Sequence, residues 1–113
     1  MRAVTRRSGE VVMDALHFGD LALNLSAAEL CCGAQRIALR RKELDVMRLL
    51  MLQKGAVVAK ETLLVKVWGY DSDAEYNNVE VYISFLRKKL AFLGSHVAII
   101  AMRNLGYRLE EQT

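Results

Sequence analysis

The sequence holds no proline, two cysteines, one tryptophan and two histidines in its 113 residues. Without proline it carries no proline-rich spacer, and without an internal repeat or low-complexity tract it is no repeat array. The cysteines, Cys31 and Cys32, are adjacent. Neighbours on a strand point to opposite faces, and two thiols without further ligands make no zinc site. They read as reduced, small hydrophobes of a cytoplasmic protein. No apolar run reaches the roughly 18 residues of a membrane span. The segment MRAVTRRSGE is basic with no apolar stretch behind it, so no signal peptide is expected.

Catalytic chemistry is equally sparse. His17 and His96 lie near no Cys or carboxylate cluster in sequence and read as surface histidines. There is no Gly-rich phosphate loop, no HExxH and no Gly-x-Ser-x-Gly. Asp71, Asp73 and Glu75 alternate as in a calcium loop, but the central Gly and distal bidentate Glu of such a loop are missing. No metal, no cofactor and no enzymatic activity are expected.

What is present fits one globular domain. Apolar residues make up 53% of the chain, enough to exclude disorder and to bury a core unaided. The net charge of +3 suits an anionic partner without requiring one, so its distribution matters more. Acids gather in YDSDAEY, from Tyr70 to Tyr76. Bases gather at Arg2/Arg6/Arg7, Arg40/Arg41/Lys42 and Arg87/Lys88/Lys89. Such runs are ordinarily solvated faces.

Residues 1–16 lack periodicity and read as a linker; residues 17–113 read as the folded domain. In DLALNL the leucines 21, 23 and 25 alternate with small or polar residues, as in a half-buried strand. ELCC and RIAL follow, giving a small antiparallel sheet of three or four strands. Lys42 to Lys54 is a helix apolar around nearly its whole circumference, hence central, and Gly55 ends it. A short helix runs from about Lys60 to Trp68. After the acidic loop a third helix begins, with Asn77 as N-cap and Glu80 completing a capping box. VAIIAM, the turn RNLG and YRLE form a closing β-hairpin. The fold class is therefore α+β: a winged helix-turn-helix with an N-terminal antiparallel sheet, three helices and a hairpin wing.

The third helix, NNVEVYISFLRKKL, carries an unusual outward face. At 100° per residue Val79, Ile83, Leu86 and Leu90 share one arc, the core stripe. The opposite arc holds Asn77, Asn78, Val81, Ser84, Phe85, Lys88 and, further on, Phe92, with Arg87 and Lys89 flanking it. Two apolar groups bracketed by Asn and Lys suggest a binding face. The other reading is that Phe85 and Phe92 pack elsewhere on the same chain.

KEL…LL…KGAVVAKETLLVKVWG, NNVEVYISFLRKKL and MRNLGYRLE, in this order and spacing, resemble the C-terminal effector domain of OmpR/PhoB-type response regulators, from Phe18 to about Glu110. The resemblance implies a winged-helix, double-stranded-DNA-binding output domain of a two-component system, active in transcription and phosphorelay signalling. MRAVTRRSGE resembles the end of a receiver domain plus linker. The third helix would enter the major groove, with Asn77, Asn78, Val81, Tyr82 and Phe85 facing DNA and Arg87 matching a phosphate contact. Lys88 would meet phosphate beside it. Asn77 has capping as a rival role. Arg103 matches a wing arginine that reaches the minor groove, and Trp68 a position both core and phosphate-facing. The loop Gly69 to Tyr76, with Asp71, Asp73 and Glu75, matches the segment that touches RNA polymerase. The implied assembly is a monomer in isolation and a head-to-tail pair on direct repeats about one helical turn, ~10 bp, apart.

Four positions depart from that pattern. Arg40 and Ala59 stand where the resemblance implies Thr and Ser, at the N-caps of the first two helices. A side-chain cap contributes about 0.5–2 kcal/mol. Phe85 replaces a basic or polar residue, and the wing reads Arg103-Asn104 in place of Arg-Gly. A reading from another class makes the strip Val81/Phe85/Phe92 a protein–protein interaction surface.

Overall fold

The computed structural model describes residues 15–69 and 73–112. The chain opens with four short strands, β1 (Ala15–Phe18), β2 (Leu21–Asn24), β3 (Glu29–Cys32) and β4 (Gln35–Ala38), paired antiparallel in sequence order. The alternation puts Leu23 opposite Leu30, and Leu30 opposite Ile37, on the inner face. The first strand takes in Ala15 and Leu16, which the aperiodic composition assigned to the linker. Cys31 and Cys32 are free and half-buried, and alternate along β3 as strand neighbours must.

Helix α1 (Arg41–Leu52) crosses this sheet and buries Val46, Met47, Leu50 and Met51. It ends before the expected Gly55, because Lys54 and Gly55 both turn to positive φ. Strand β5 (Val58–Ala59), which has no periodic signature, leads into α2. That helix is an α-helical turn, Lys60–Leu63, continued as a π-helical turn, Leu64–Trp68, closed by Gly69 N–H donating to the Leu64 carbonyl at 3.2 Å. Helix α3 (Tyr76–Leu93) follows, and then β6 (Val97–Met102) and β7 (Gly106–Glu111) form the hairpin. The second sheet has the order β5-β7-β6, so the stretch before α2 is stitched to the hairpin.

The core stripe of α3 is Val79, Ile83, Leu86 and Leu90, all buried, and it continues to Leu93. Together with Met47, Leu50, Leu63 and Leu109 it fills the space between the two sheets.

A polar latch joins the two ends of the domain. Asp20, in the β1–β2 turn, accepts from the Ser95 hydroxyl at 2.6 Å and from the His96 N–H at 2.8 Å. Ser95 Oγ in turn accepts from the Val97 N–H at 3.0 Å. Burial alone pushes the Asp20 carboxyl up, but the hydrogen bonds from Ser95 and His96 outweigh it and hold the group below its usual 3.8. A depressed carboxyl contributes stability that is complete above the unfolded value and lost as pH falls through the folded one. Asp20→Asn is therefore expected to be less stable than wild type from neutral pH down to about 4–5, with the gap closing in stronger acid. Denaturant titrations across that range check it; a gap that persists unchanged at pH 2 would contradict the assignment.

Candidate nucleic-acid interface

Helix α3 presents its outward arc to solvent. Asn77, Asn78, Ser84 and Lys88 are exposed, Val81 retains 40% of its surface and Phe92 62%. The helix starts two residues earlier than a cap at Asn77 implies. Glu75 is the N-cap, and its N–H donates to the Asn78 side-chain oxygen at 2.8 Å. The expected box of Asn77 and Glu80 is thus replaced by Glu75 and Asn78. This occupies Asn78 Oδ1 and relieves Asn77 of the capping role.

Tyr82 and Phe85 form a ring stack with Trp68. Tyr82 meets Trp68 edge-on at 5.4 Å between centroids and Phe85 at 5.3 Å. Such pairs contribute about 0.5–1.5 kcal/mol beyond area burial. Lys42 lies over the Trp68 ring, 5.7 Å from its centroid, and donates to the Val67 carbonyl at 3.2 Å. Trp68 is half-buried, held between α1 and α3.

Phe85 is half-covered. Its neighbours come from α3 and the β4–α1 junction, where it lines a cleft of ≈ 230 Å³ with Arg40, Glu43, Lys88 and Lys89. Arg40 and Ala59 do stand at N-cap positions without a side-chain cap. At the first, Glu43 compensates by accepting the Arg40 N–H at 2.7 Å. Glu43 is 2% exposed and also accepts from Lys89 Nζ at 2.6 Å, which donates to the Ala38 carbonyl at 2.9 Å. Lys89 is therefore a structural cation.

Arg87 is tied as well. Its Nε and Nη2 donate to the Ile99 carbonyl at 3.2 and 2.9 Å, bracing α3 against β6. Part of its donor set is thereby committed, although the residue remains exposed.

The wing tip projects beside the start of α3. Leu105 N–H donates to the Met102 carbonyl at 2.9 Å, and Asn104 takes the left-handed conformation with φ 63°. Asn reaches that region more readily than most residues, so the turn closes without glycine there. Arg103 and Asn104 are exposed, and Leu105 keeps 60% of its surface. A cleft of ≈ 390 Å³ lined by Ala59, Lys60, Glu61, Tyr76, Asn104 and Leu105 separates the tip from the two helix starts. Lys60 spans it, 3.7 Å from the Glu80 carboxylate and 5.9 Å from the Tyr107 ring centroid. Neither Lys60 nor Glu43 stood out in the sequence, since each acquires its role from a residue on another element. Of the acidic loop, Asp73 and Glu75 are exposed, and Asp71 lies outside the described residues.

Among the described residues there is no group of His, Cys, Asp or Glu that could hold a metal ion and no helix long and apolar enough to cross a membrane. The chemistry on offer is an amide- and methyl-bearing helix face flanked by cations, with an arginine at the end of an adjacent hairpin.

Residues 34–109 match the family model described as "Transcriptional regulatory protein, C terminal". The chain is 39% identical over 113 residues to the transcriptional regulatory protein DltR of Streptococcus agalactiae, covering all of this chain and 50% of that protein. Among solved structures it resembles the C-terminal domain of the nisin resistance regulator NsrR, with 30% identity and a TM-score of 0.71 over 87% of this chain and 99% of that one. It also resembles the DNA-binding domain of Klebsiella pneumoniae RstA in complex with the RstA box, with 26% identity and a TM-score of 0.67 over 83% and 94%. The chain spans about half the length of the curated relatives it matches.

Proposed function

The chain belongs to the family of transcriptional regulatory protein C-terminal domains, and from that premise we propose that it is the sequence-specific DNA-binding output domain of a two-component response regulator. The observation that carries the reading is the outward arc of α3. It exposes Asn77, Val81, Ser84 and Lys88 on a helix whose opposite stripe is wholly buried. A winged-helix neighbour solved on its own DNA box supports it.

In the major groove Val81 meets a thymine methyl, and Asn77, freed from capping, pairs with an adenine edge. Asn78 keeps its amide nitrogen for DNA while its oxygen holds the cap. Tyr82 and Phe85, locked edge-on to each other, stiffen the face and set its outline. Lys88, the uncommitted part of Arg87 and the Trp68 indole N–H serve phosphates, which position the helix without reading sequence. Arg103 enters the minor groove, whose negative potential deepens where it narrows. Asp73, and with it Asp71 and Glu75, carry the wrong sign for phosphate and face RNA polymerase.

The whole protein adds a receiver domain ahead of this one, acts in the cytoplasm, and places two copies head to tail on direct repeats about 10 bp apart. The domain alone is a monomer. A single module covers only roughly 600–1,000 Å², so the pair supplies the specificity. Nothing found supports the rival use of Val81, Phe85 and Phe92 as a protein-docking strip.

Selection of bound duplexes from a random pool is the direct test. Wild type should enrich a repeated half-site. Arg103→Ala should still enrich the groove-read bases, lose preference for A·T at one flanking position, and show a salt slope smaller by about 0.9. A pool that remains random after selection would exclude sequence-specific binding.

A further inference from the structure

The cleft beside Phe85 carries two cations that have no ion-pair partner among the described residues. Of its five lining residues, Glu43 and Lys89 neutralise each other at 2.6 Å. The Glu43 oxygen that binds Lys89 also takes the Arg40 N–H, and Lys89 additionally caps the Ala38 carbonyl. That leaves the Arg40 guanidinium and the Lys88 ammonium. Both residues are exposed, and among the described residues neither has a carboxylate within ion-pair distance. They line the same ≈ 230 Å³ recess, with the half-buried Phe85 ring as a third wall. The recess opens at the start of α1, a 12-residue helix whose dipole adds positive potential there. Lys88 lies one turn beyond Ser84 on the outward arc of α3.

We infer that this recess seats one DNA backbone phosphate, clasped by Arg40 from the β4–α1 junction and Lys88 from α3. The inference rests on α3 being the DNA-facing helix and extends the contact surface beyond the helix and wing to the first helix of the domain. Arg40 supplies a planar fork that can hold two phosphate oxygens, and Lys88 a point charge on the same anion. The contact is blind to sequence. It fixes how far α3 slides along the groove, as phosphate contacts do.

The experiment is a salt series of binding titrations with the 113-residue chain and a random-sequence duplex a few helical turns long. Neutralising one phosphate corresponds to a slope of about 0.9 in log affinity against log salt. Arg40→Ala and Lys88→Ala should each weaken binding but reduce the slope by less than about 0.9, because the remaining cation still holds the phosphate, and the double variant should reduce it by about 0.9 in all rather than about 1.8. Arg40→Lys should keep most of the slope. The Arg40 side chain makes no cap hydrogen bond, so thermal melts of Arg40→Ala should match wild type. A wild-type slope in the double variant, or a loss of about 1.8 there, would overturn the shared seat while leaving DNA binding intact. Absence of salt-dependent binding by wild type would overturn the functional reading itself.

Discussion

Gly106→Ala is expected to detach the wing hairpin from the helices. A Cβ at this position would lie 2.0 Å from the Val58 carbonyl oxygen and 2.8 Å from the Ala59 Cα. Both are backbone atoms of β5, which Gly106 pairs with at Ala59 while facing Met102 on its other side. No side-chain rotation relieves such a contact, so one strand must move. Overpacking ordinarily costs about 1–3 kcal/mol, and a backbone clash in a paired strand belongs at or beyond the top of that range. The loss should be local first: amide exchange at Val58, Ala59 and across β6–β7 should accelerate while the N-terminal sheet keeps its protection. A variant with wild-type stability and unchanged exchange at Val58 would show that the strands have room the structure does not display. With the hairpin detached, the wing tip loses its place beside the start of α3, and binding should fall even on DNA that the helix alone could read.

The parts legible in the sequence are those with a period. Val79, Ile83, Leu86 and Leu90 repeat at helical spacing, and all are buried; Leu21 and Leu23 alternate, and both line the inner face of the sheet. The parts that were not legible depend on contacts distant in sequence or on degenerate local signals. Strand β5 is two residues long, too short for any period, and exists because β7 is there to pair with it. At the start of α3 the sequence offers Asn77, a good cap residue, with Glu80 three residues on. Only the backbone decides, and it sets Glu75 as cap with Asn78 three residues inside. Phe85 stood out as an outward phenylalanine, but its cover comes from Tyr82 within the helix and from the cleft at the β4–α1 junction. Of the positions resembling DNA contacts, Asn77, Val81, Lys88 and Arg103 are exposed on two adjacent elements. Arg87 is drawn partly inward by a carbonyl that its own sequence neighbourhood gives no hint of.

The basic run Arg87-Lys88-Lys89 shows most sharply how three like residues diverge, and it sets the second large effect. Lys88 is exposed, Arg87 braces β6, and Lys89 reaches back to Glu43, 46 residues earlier. Glu43 is 2% exposed at the first turn of α1, where an acid would ordinarily be read as a solvated partner of the helix dipole. Among the described residues, removing Lys89 leaves that carboxylate buried with the Arg40 N–H alone to answer it, and a buried charge stripped of its partner costs about 3–5 kcal/mol. Lys89→Met is therefore expected to lower stability by about that amount, against less than about 0.5 kcal/mol for Lys88→Met next to it. The double variant Glu43→Gln/Lys89→Met should recover much of the loss, because the glutamine carries no charge and its side-chain oxygen still answers the Arg40 N–H. Urea titrations of wild type, Glu43→Gln, Lys89→Met and the double variant measure the coupling, with Lys88→Met as the control. Equal, small losses for Lys88→Met and Lys89→Met would mean that the Glu43–Lys89 pair is solvated in solution and that Lys89 is as free as Lys88 to face DNA.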